Sequence, residues 1–526
     1  MKIRFLAVAC TWGMFMAMAL AAHAQLVDNN LAPQTAKAGI SKSLADEIGP
    51  GRGDLMTPNS SLFIINRDPF RSVRRGRQIF QRKFTRAEGQ GPNNSDGRGN
   101  LNLVGGIGAG LSDSCASCHG RPRGSAGAGG DVATRPDSRD APHLFGLGLR
   151  EMLGDEMTSD MRAIRAQAVA DAKKKGQSVT RQLLTKGVSF GSITANPDGS
   201  VNTANVSGVN PDLRVRPFFA EGSTISIREF LVGAFRNEMG LQSADLDLLK
   251  AVEGARVVTP AGMVLDGSLD KIEAPPLTDE GTDPDGDGVT NELPTSLVDH
   301  EEFYLLHYFK PAVYQQTENT RKGRRLFDKI GCASCHVADM LIEHDRRVAD
   351  LETVYDPVRG NMNHLFATAT ASLHEINDGS GFPTIKVPNG GPFLVKDIYT
   401  DFKRHDLGPN FYERNYDGTL QKQFLTRALW GVGTTSPYGH DGRSINLHEV
   451  ILRHGGESLA SRNAYAHLEP EGQDAIQAFL NSLVLFPPDD TASTLDPGNR
   501  QTVNFPQFGH GSIKLTVLFN DPTDPE

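Results

Sequence analysis

Apolar residues at helical spacing mark several segments of this chain. Ile227, Phe230, Leu231, Ala234 and Phe235 share one face of a stretch from Ser226 to Met239, and Glu238 ends the same stripe. Ser226 and Glu229 stand at capping-box spacing and Gly240 supplies the stop. Leu447, Val450, Ile451 and His454 fall at i, i+3, i+4 and i+7 on a helix that starts near residues 444–446 and ends at Gly455-Gly456. Ile476, Phe479, Leu480 and Leu483 line a closing helix over 471–485, ended by Pro487 and Pro488. Residues 158–175 read as helix, and 189–201 as a hairpin around Asn196-Pro197-Asp198-Gly199. Short amphipathic helices are predicted at Arg74–Phe80 and Arg321–Phe327.

The N-terminus departs from this pattern. Lys2 and Arg4 precede an apolar run from Phe5 to Ala22, and Ala22-His23-Ala24 has small-x-small spacing. This is the form of a secretory leader cut before Gln25, and it predicts a periplasmic protein. No later stretch approaches the ~20 apolar residues that span a bilayer. The leader carries two positive charges and no negative ones, so its loss moves the formal net charge from −9 to −11. That balance argues against nucleic acid as a partner. Against the trend, Arg67, Arg71, Arg74, Arg75, Arg77, Arg82, Lys83 and Arg86 form a basic run. It is either a solvated face or a docking or propionate-facing patch.

Four cysteines remain once Cys10 leaves with the leader, and all lie in Cys115-Ala-Ser-Cys118-His119 and Cys332-Ala-Ser-Cys335-His336. C-x-x-C-H is the c-type haem attachment signature: two thiols add to the haem vinyl groups and the imidazole ligates iron. Two copies that consume every mature cysteine are not accidental. Each follows one of the short amphipathic helices, as in class I cytochromes c. The expected fold is therefore mainly α, with two class I cytochrome c-like domains, irregular insertions and a few short strands. The expected divisions are a signal peptide (1–24), a first haem domain with an insertion (25–274), an acidic linker (275–298), a second haem domain (299–488) and a polar tail (489–526). The tail holds one strand candidate at 513–519.

What fills the second axial position of each iron decides between electron transfer and chemistry. His454, at the end of an apolar stripe, is either a satisfied core residue or the ligand of the second haem. Glu238 either turns to solvent or pairs with Arg228 or Arg236, or else it is a raised-pKa acid/base over an open haem. Asp283, Asp285, Asp287 and Glu292 follow an oxygen-rich calcium-loop pattern, with Pro294 where an EF-hand places its last ligand. A solvated acidic turn is the other reading.

Several stretches resemble known proteins. Thr434 to Gly442 with its following helix is similar to the bacterial di-haem cytochrome c peroxidases and to the di-haem enzymes that mature methylamine dehydrogenase. The resemblance to the di-haem oxidoreductase family is closer, through Tyr399-Thr400-Asp401-Phe402-Lys403-Arg404-His405-Asp406-Leu407-Gly408, Leu429-Trp430-Gly431-Val432-Gly433 and His454-Gly455-Gly456-Glu457. Cys118-His119-Gly120-Arg121-Pro122 and Ala141 to Leu149 agree with it on the first-haem side. The resemblance implies that Glu238 matches the catalytic glutamate of the peroxidases. It implies that His454, fourteen residues after His440, stands where they place a methionine and the maturation enzymes a tyrosine. It also implies that the carbonyls of Thr435 and Pro437 match those holding an inter-haem calcium.

The chain departs from the peroxidases in three places. Asp137, Ser138 and Arg139 occupy the spacing of a removable His ligand, Val232 replaces a pocket proline, and Phe219 replaces an inter-haem tryptophan. His143 is the nearby imidazole able to close the first haem. The reading that follows is a periplasmic di-haem oxidoreductase that reduces hydrogen peroxide or another small oxidant at haem 1, with electrons relayed through haem 2 from a small cytochrome c or cupredoxin. The alternatives are a di-haem oxygenase or protein-modifying enzyme, as in the rubber-cleaving dioxygenases, and a plain electron carrier.

Overall fold

The computed structural model describes residues 44–91, 112–119, 136–137, 139–243, 245–272, 283, 286–308, 310–311, 313, 316–355 and 365–485. The leader, Asp285, Pro487, Pro488 and the strand candidate at 513–519 lie outside them.

The helix Thr295–Leu306 organises the molecule, and all twelve of its residues are buried. Two glycines let neighbouring helices close on it. A Cβ at Gly76 of the helix Pro69–Gln81 would stand 2.2 Å from the His300 carbonyl, and one at Gly148 of the helix Leu147–Lys175 would stand 2.0 Å from that of Leu306. The helix is also charged. Arg228, fully buried, meets Asp299 at 2.9 Å and Glu302 at 2.7 Å across the interface, with Asp245 at 2.7 Å. Ionised groups survive burial only when partnered in this way.

The predicted helix at 226–239 forms in two parts. Residues Ile227–Ala234 are α-helical, with Ser226 accepting from Glu229 N at 3.0 Å, and Phe235–Met239 widen into a π-helical turn ended by Gly240 at φ 74°. The closing helix is Pro470–Asn481, and the helix Glu318–Lys329 crosses it so tightly that a Cβ at Gly323 would lie 1.8 Å from the Ala475 carbonyl. The helix expected at 158–175 begins earlier, at Leu147. The 189–201 hairpin is present, and Val179–Thr185 adds a third antiparallel strand to it.

The expectation of a mainly α fold built from two class I cytochrome c-like domains is not met. The chain is 38% helical and 16% strand, and no cytochrome c-like domain is shown. The described strands form one three-stranded and six two-stranded sheets. Between Met340 and Leu425 the chain runs through short hairpins of two to seven residues per strand, which helical periodicity cannot reveal. The largest cluster of buried apolar side chains takes in Phe80, Leu153, Leu305, Val395 and Trp430. It draws on segments from both sides of the expected boundary, and residues 295–298 belong to the central helix.

Candidate functional site

The second C-x-x-C-H sits at the end of the helix Glu318–Lys329. Gly331, at φ 92°, turns the chain into a short 3-10 segment, Cys332–Ser334, and His336 N bonds the Cys332 carbonyl at 3.0 Å. Cys332, Cys335 and His336 then line a cavity of about 300 Å³, and His454 lines the same cavity.

The ring nitrogens of these histidines are assigned by their partners. His336 Nδ1 lies 2.9 Å from the Tyr399 carbonyl, and His454 Nδ1 lies 2.8 Å from that of Val450. A carbonyl only accepts, so Nδ1 carries the proton in both and Nε2 keeps its lone pair. That is the arrangement of an iron-ligating imidazole oriented by an outer hydrogen bond. Burial lowers both pKa values, that of His454 to about 4, which keeps the rings neutral. The residues therefore fit a haem held between His336 and His454. Phe411 packs edge-on against His454 at 5.3 Å, and His440 stacks on Phe424 at 4.1 Å. Thr435 and Pro437 also line the cavity.

The first motif forms the one-turn helix Cys115–His119. His119 Nδ1 lies 2.7 Å from the Pro142 carbonyl, so its Nε2 is likewise left for a metal. His143 differs. Its Nε2 lies 2.7 Å from the Trp430 carbonyl and its Nδ1 accepts from Phe145 N at 3.2 Å, so neither nitrogen has a lone pair to give. Of the loop where the peroxidases carry a removable ligand, Asp137 is pinned to Arg414 at 2.6 Å and Arg139 to Glu413 at 2.6 Å; Ser138 lies outside the described residues.

Glu238 lies half-buried in the π-helical turn, and π-turns inside helices gather at functional sites. Its carbonyl accepts from Ser112 N at 3.3 Å, and the Met239 carbonyl accepts from Gly91 N at 2.9 Å. The turn thus grips both ends of the segment leading into the first motif.

Two features escaped the sequence reading. Glu301 of the central helix is fully buried with Oε1 3.3 Å from Cys115 Sγ, and burial pushes its carboxyl up to about 8. Asp299, His300 and Glu302 flank it in the sequence, so no pattern there singles Glu301 out. The other is a clamp between two of the family-like stretches. His405 donates from Nε2 to Asp401 at 2.9 Å and from Nδ1 to Glu457 at 2.8 Å. Burial opposes its charge, but Asp401, Cys335 and Glu457 outweigh that and push it up to about 11. Gly455 N bonds the Leu407 carbonyl at 2.9 Å beside it, so the clamp fixes the loop that follows His454. Cys335, Asp401 and His405 converge closely enough for a metal ion, but haem attachment would consume the thiol.

In the expected calcium loop, the described carboxylates Asp283, Asp287 and Glu292 each accept from backbone N–H groups. Asp283 accepts from Gly286 N at 2.8 Å and Gly288 N at 2.9 Å, whereas Glu292 is buried and accepts from Gln242 N at 2.7 Å. The basic run is divided: Arg67, Arg74 and Arg75 are buried, whereas Lys83 and Arg86 are exposed. Phe219 packs on Phe230 at 5.5 Å, and Val232 is buried.

Residues 393–483 match the family described as "Di-haem oxidoreductase, putative peroxidase". Over this segment the chain resembles the di-haem oxidoreductases. The segment holds Tyr399, the His405 clamp, Trp430, His440 and His454. Both C-x-x-C-H motifs lie before it. Curated proteins gave no match. Among solved structures the chain is similar to hydrazine synthase of Kuenenia stuttgartiensis, pressurized with xenon, at 15% identity and a TM-score of 0.21. That similarity covers 36% of this chain and 55% of the other.

Proposed function

We propose that this is a periplasmic di-haem c-type oxidoreductase that reduces peroxide at the first haem with electrons relayed through the second. The observation that carries the reading is the pair His336 and His454, each with Nδ1 bound to a carbonyl, lining one cavity with Cys332 and Cys335. Bound haem supplies one-electron redox chemistry and an iron on which a small oxidant can be polarised.

The residues divide the work. Cys332 and Cys335 would tether the second haem, and His336 and His454 would ligate its iron, a donor set suited to storing electrons. Cys115, Cys118 and His119 hold the first. His143, committed through both nitrogens, would not ligate that haem's iron. Glu238 would be the acid/base that moves a proton between the peroxide oxygens, carried on the π-helical turn whose carbonyls hold the segment before the first motif. The donor is a small cytochrome c or cupredoxin. A calcium ion at Asp283, Asp285 and Asp287 is a separate proposal, tested by titration calorimetry.

Glu238→Gln tests the proton role. Peroxide turnover by the holoprotein is expected to fall by about 10²–10⁴, the usual worth of a positioned acid/base, with both haem spectra kept. Undiminished turnover would remove Glu238 from the mechanism.

A further inference from the structure

Three arginines line the cavity, Arg150, Arg427 and Arg462, and none forms an ion pair with a described carboxylate; Arg462 stands beside the second motif, the other two do not. Arg150 is buried, with Nη2 on the Pro217 carbonyl and its guanidinium 5.6 Å from the Phe218 ring centre. Arg427 lines the same cavity. Neither forms an ion pair with a described carboxylate, whereas Arg228, Arg139, Arg346 and Arg347 each do. Burial, with Arg427 beside it, draws Arg150 down to about 9. Burial and Arg139 draw Arg427 down to about 10, against the pull of Asp140. Two neighbouring cations that line one cavity, Arg150 buried and Arg427 half-buried, with no ion-paired carboxylate on either, favour an anion beside them.

Their place in the cavity indicates which anion. A c-type haem is tethered through its vinyl edge and carries two propionates on the opposite edge. Gly331, at the start of the second motif, lies against Ser461, whose neighbour Arg462 also lines the cavity. That is the attachment edge. Arg150 and Arg427 line the cavity together with Asp140, Pro142 and His143, the stretch whose Pro142 carbonyl holds His119 of the first motif.

Resting on the two-haem reading, we infer that Arg150 and Arg427 form a carboxylate site that holds the propionates of the second haem on the side facing the first. The pair neutralises the propionates and raises the second haem's potential by favouring the less positive, reduced iron. The chemistry recognised is a carboxylate, and a diffusible organic acid is the other possible source of it.

The test uses holoprotein of wild type, Arg150→Gln, Arg427→Gln and Arg427→Lys, with haem content and midpoint potentials measured by spectroelectrochemical titration. Each Gln variant should shift the second haem's one-electron equilibrium about tenfold toward the ferric form, or 59 mV, and Arg427→Lys should restore most of it. Two haems per chain with unmoved potentials in both Gln variants overturns the inference alone, whereas one haem or none fails the two-haem reading. If the Gln variants do not accumulate, resonance Raman decides: the propionate bending band must differ between wild type and Arg427→Lys, and an unchanged band overturns the inference. Added acetate or benzoate that perturbs the wild-type spectrum but not that of Arg427→Gln identifies a diffusible carboxylate and overturns the propionate assignment.

Discussion

Hydrogen-bond partners discriminate among the histidines of this protein better than position does. His119, His336 and His454 each place Nδ1 on a carbonyl, while His143 gives both nitrogens away. On sequence alone His143 and His454 were both candidates, one for each haem, and no periodicity tells a committed imidazole from an available one. The C-x-x-C-H motifs were legible because their chemistry is local. The contact between Glu301 and Cys115 was not, since 186 residues separate them. A His454→Met variant follows from the assignment. Replacing imidazole by a thioether should raise the potential of the second haem, read by potentiometric titration. An unchanged potential would show that His454 is not its ligand.

Elements were legible where one face is apolar and the other is not. The helices beginning at Ile227, Leu447 and Pro470 appear close to their expected positions. The central helix Thr295–Leu306 was missed because it is buried all round and has no stripe to find. Most hairpins between residues 340 and 425 escaped because strands of two to four residues carry no readable alternation, the pair Ala349–Tyr355 and Leu365–Ala371 being longer. They still matter to the site, since Arg404–Asp406 carries His405 to Asp401 and Glu457. His405→Gln should destabilise the protein by about 2 kcal/mol, the worth of a hydrogen bond to a charged group, in chemical denaturation. By loosening the loop after His454, it should also add a high-spin fraction at the second haem. Loss of stability with the spin state untouched would confine the clamp to a structural role.

At the scale of the molecule, one cluster of buried apolar side chains draws on segments from both halves of the described chain. Its acid response follows from groups buried neutral. His307 donates from Nδ1 to the Phe303 carbonyl at 2.7 Å and accepts from Val348 N at 2.8 Å, and burial lowers its pKa to about 4. Its unfolded value is about 6.5, so between these values the unfolded chain binds the extra proton and stability rises with pH. The group's full benefit is present above about pH 6.5, and roughly 3 kcal/mol is lost as pH falls through that window toward 4. His307→Gln should flatten the denaturation midpoint across it, and an equal slope in both proteins would exclude His307 as the cause.

Haem stoichiometry tests the central claim most directly. Purified holoprotein, stripped with acid–acetone and assayed as the pyridine haemochrome, should retain two haems per chain through Cys115, Cys118, Cys332 and Cys335. One haem, none, or haem that washes out with the solvent would contradict the account.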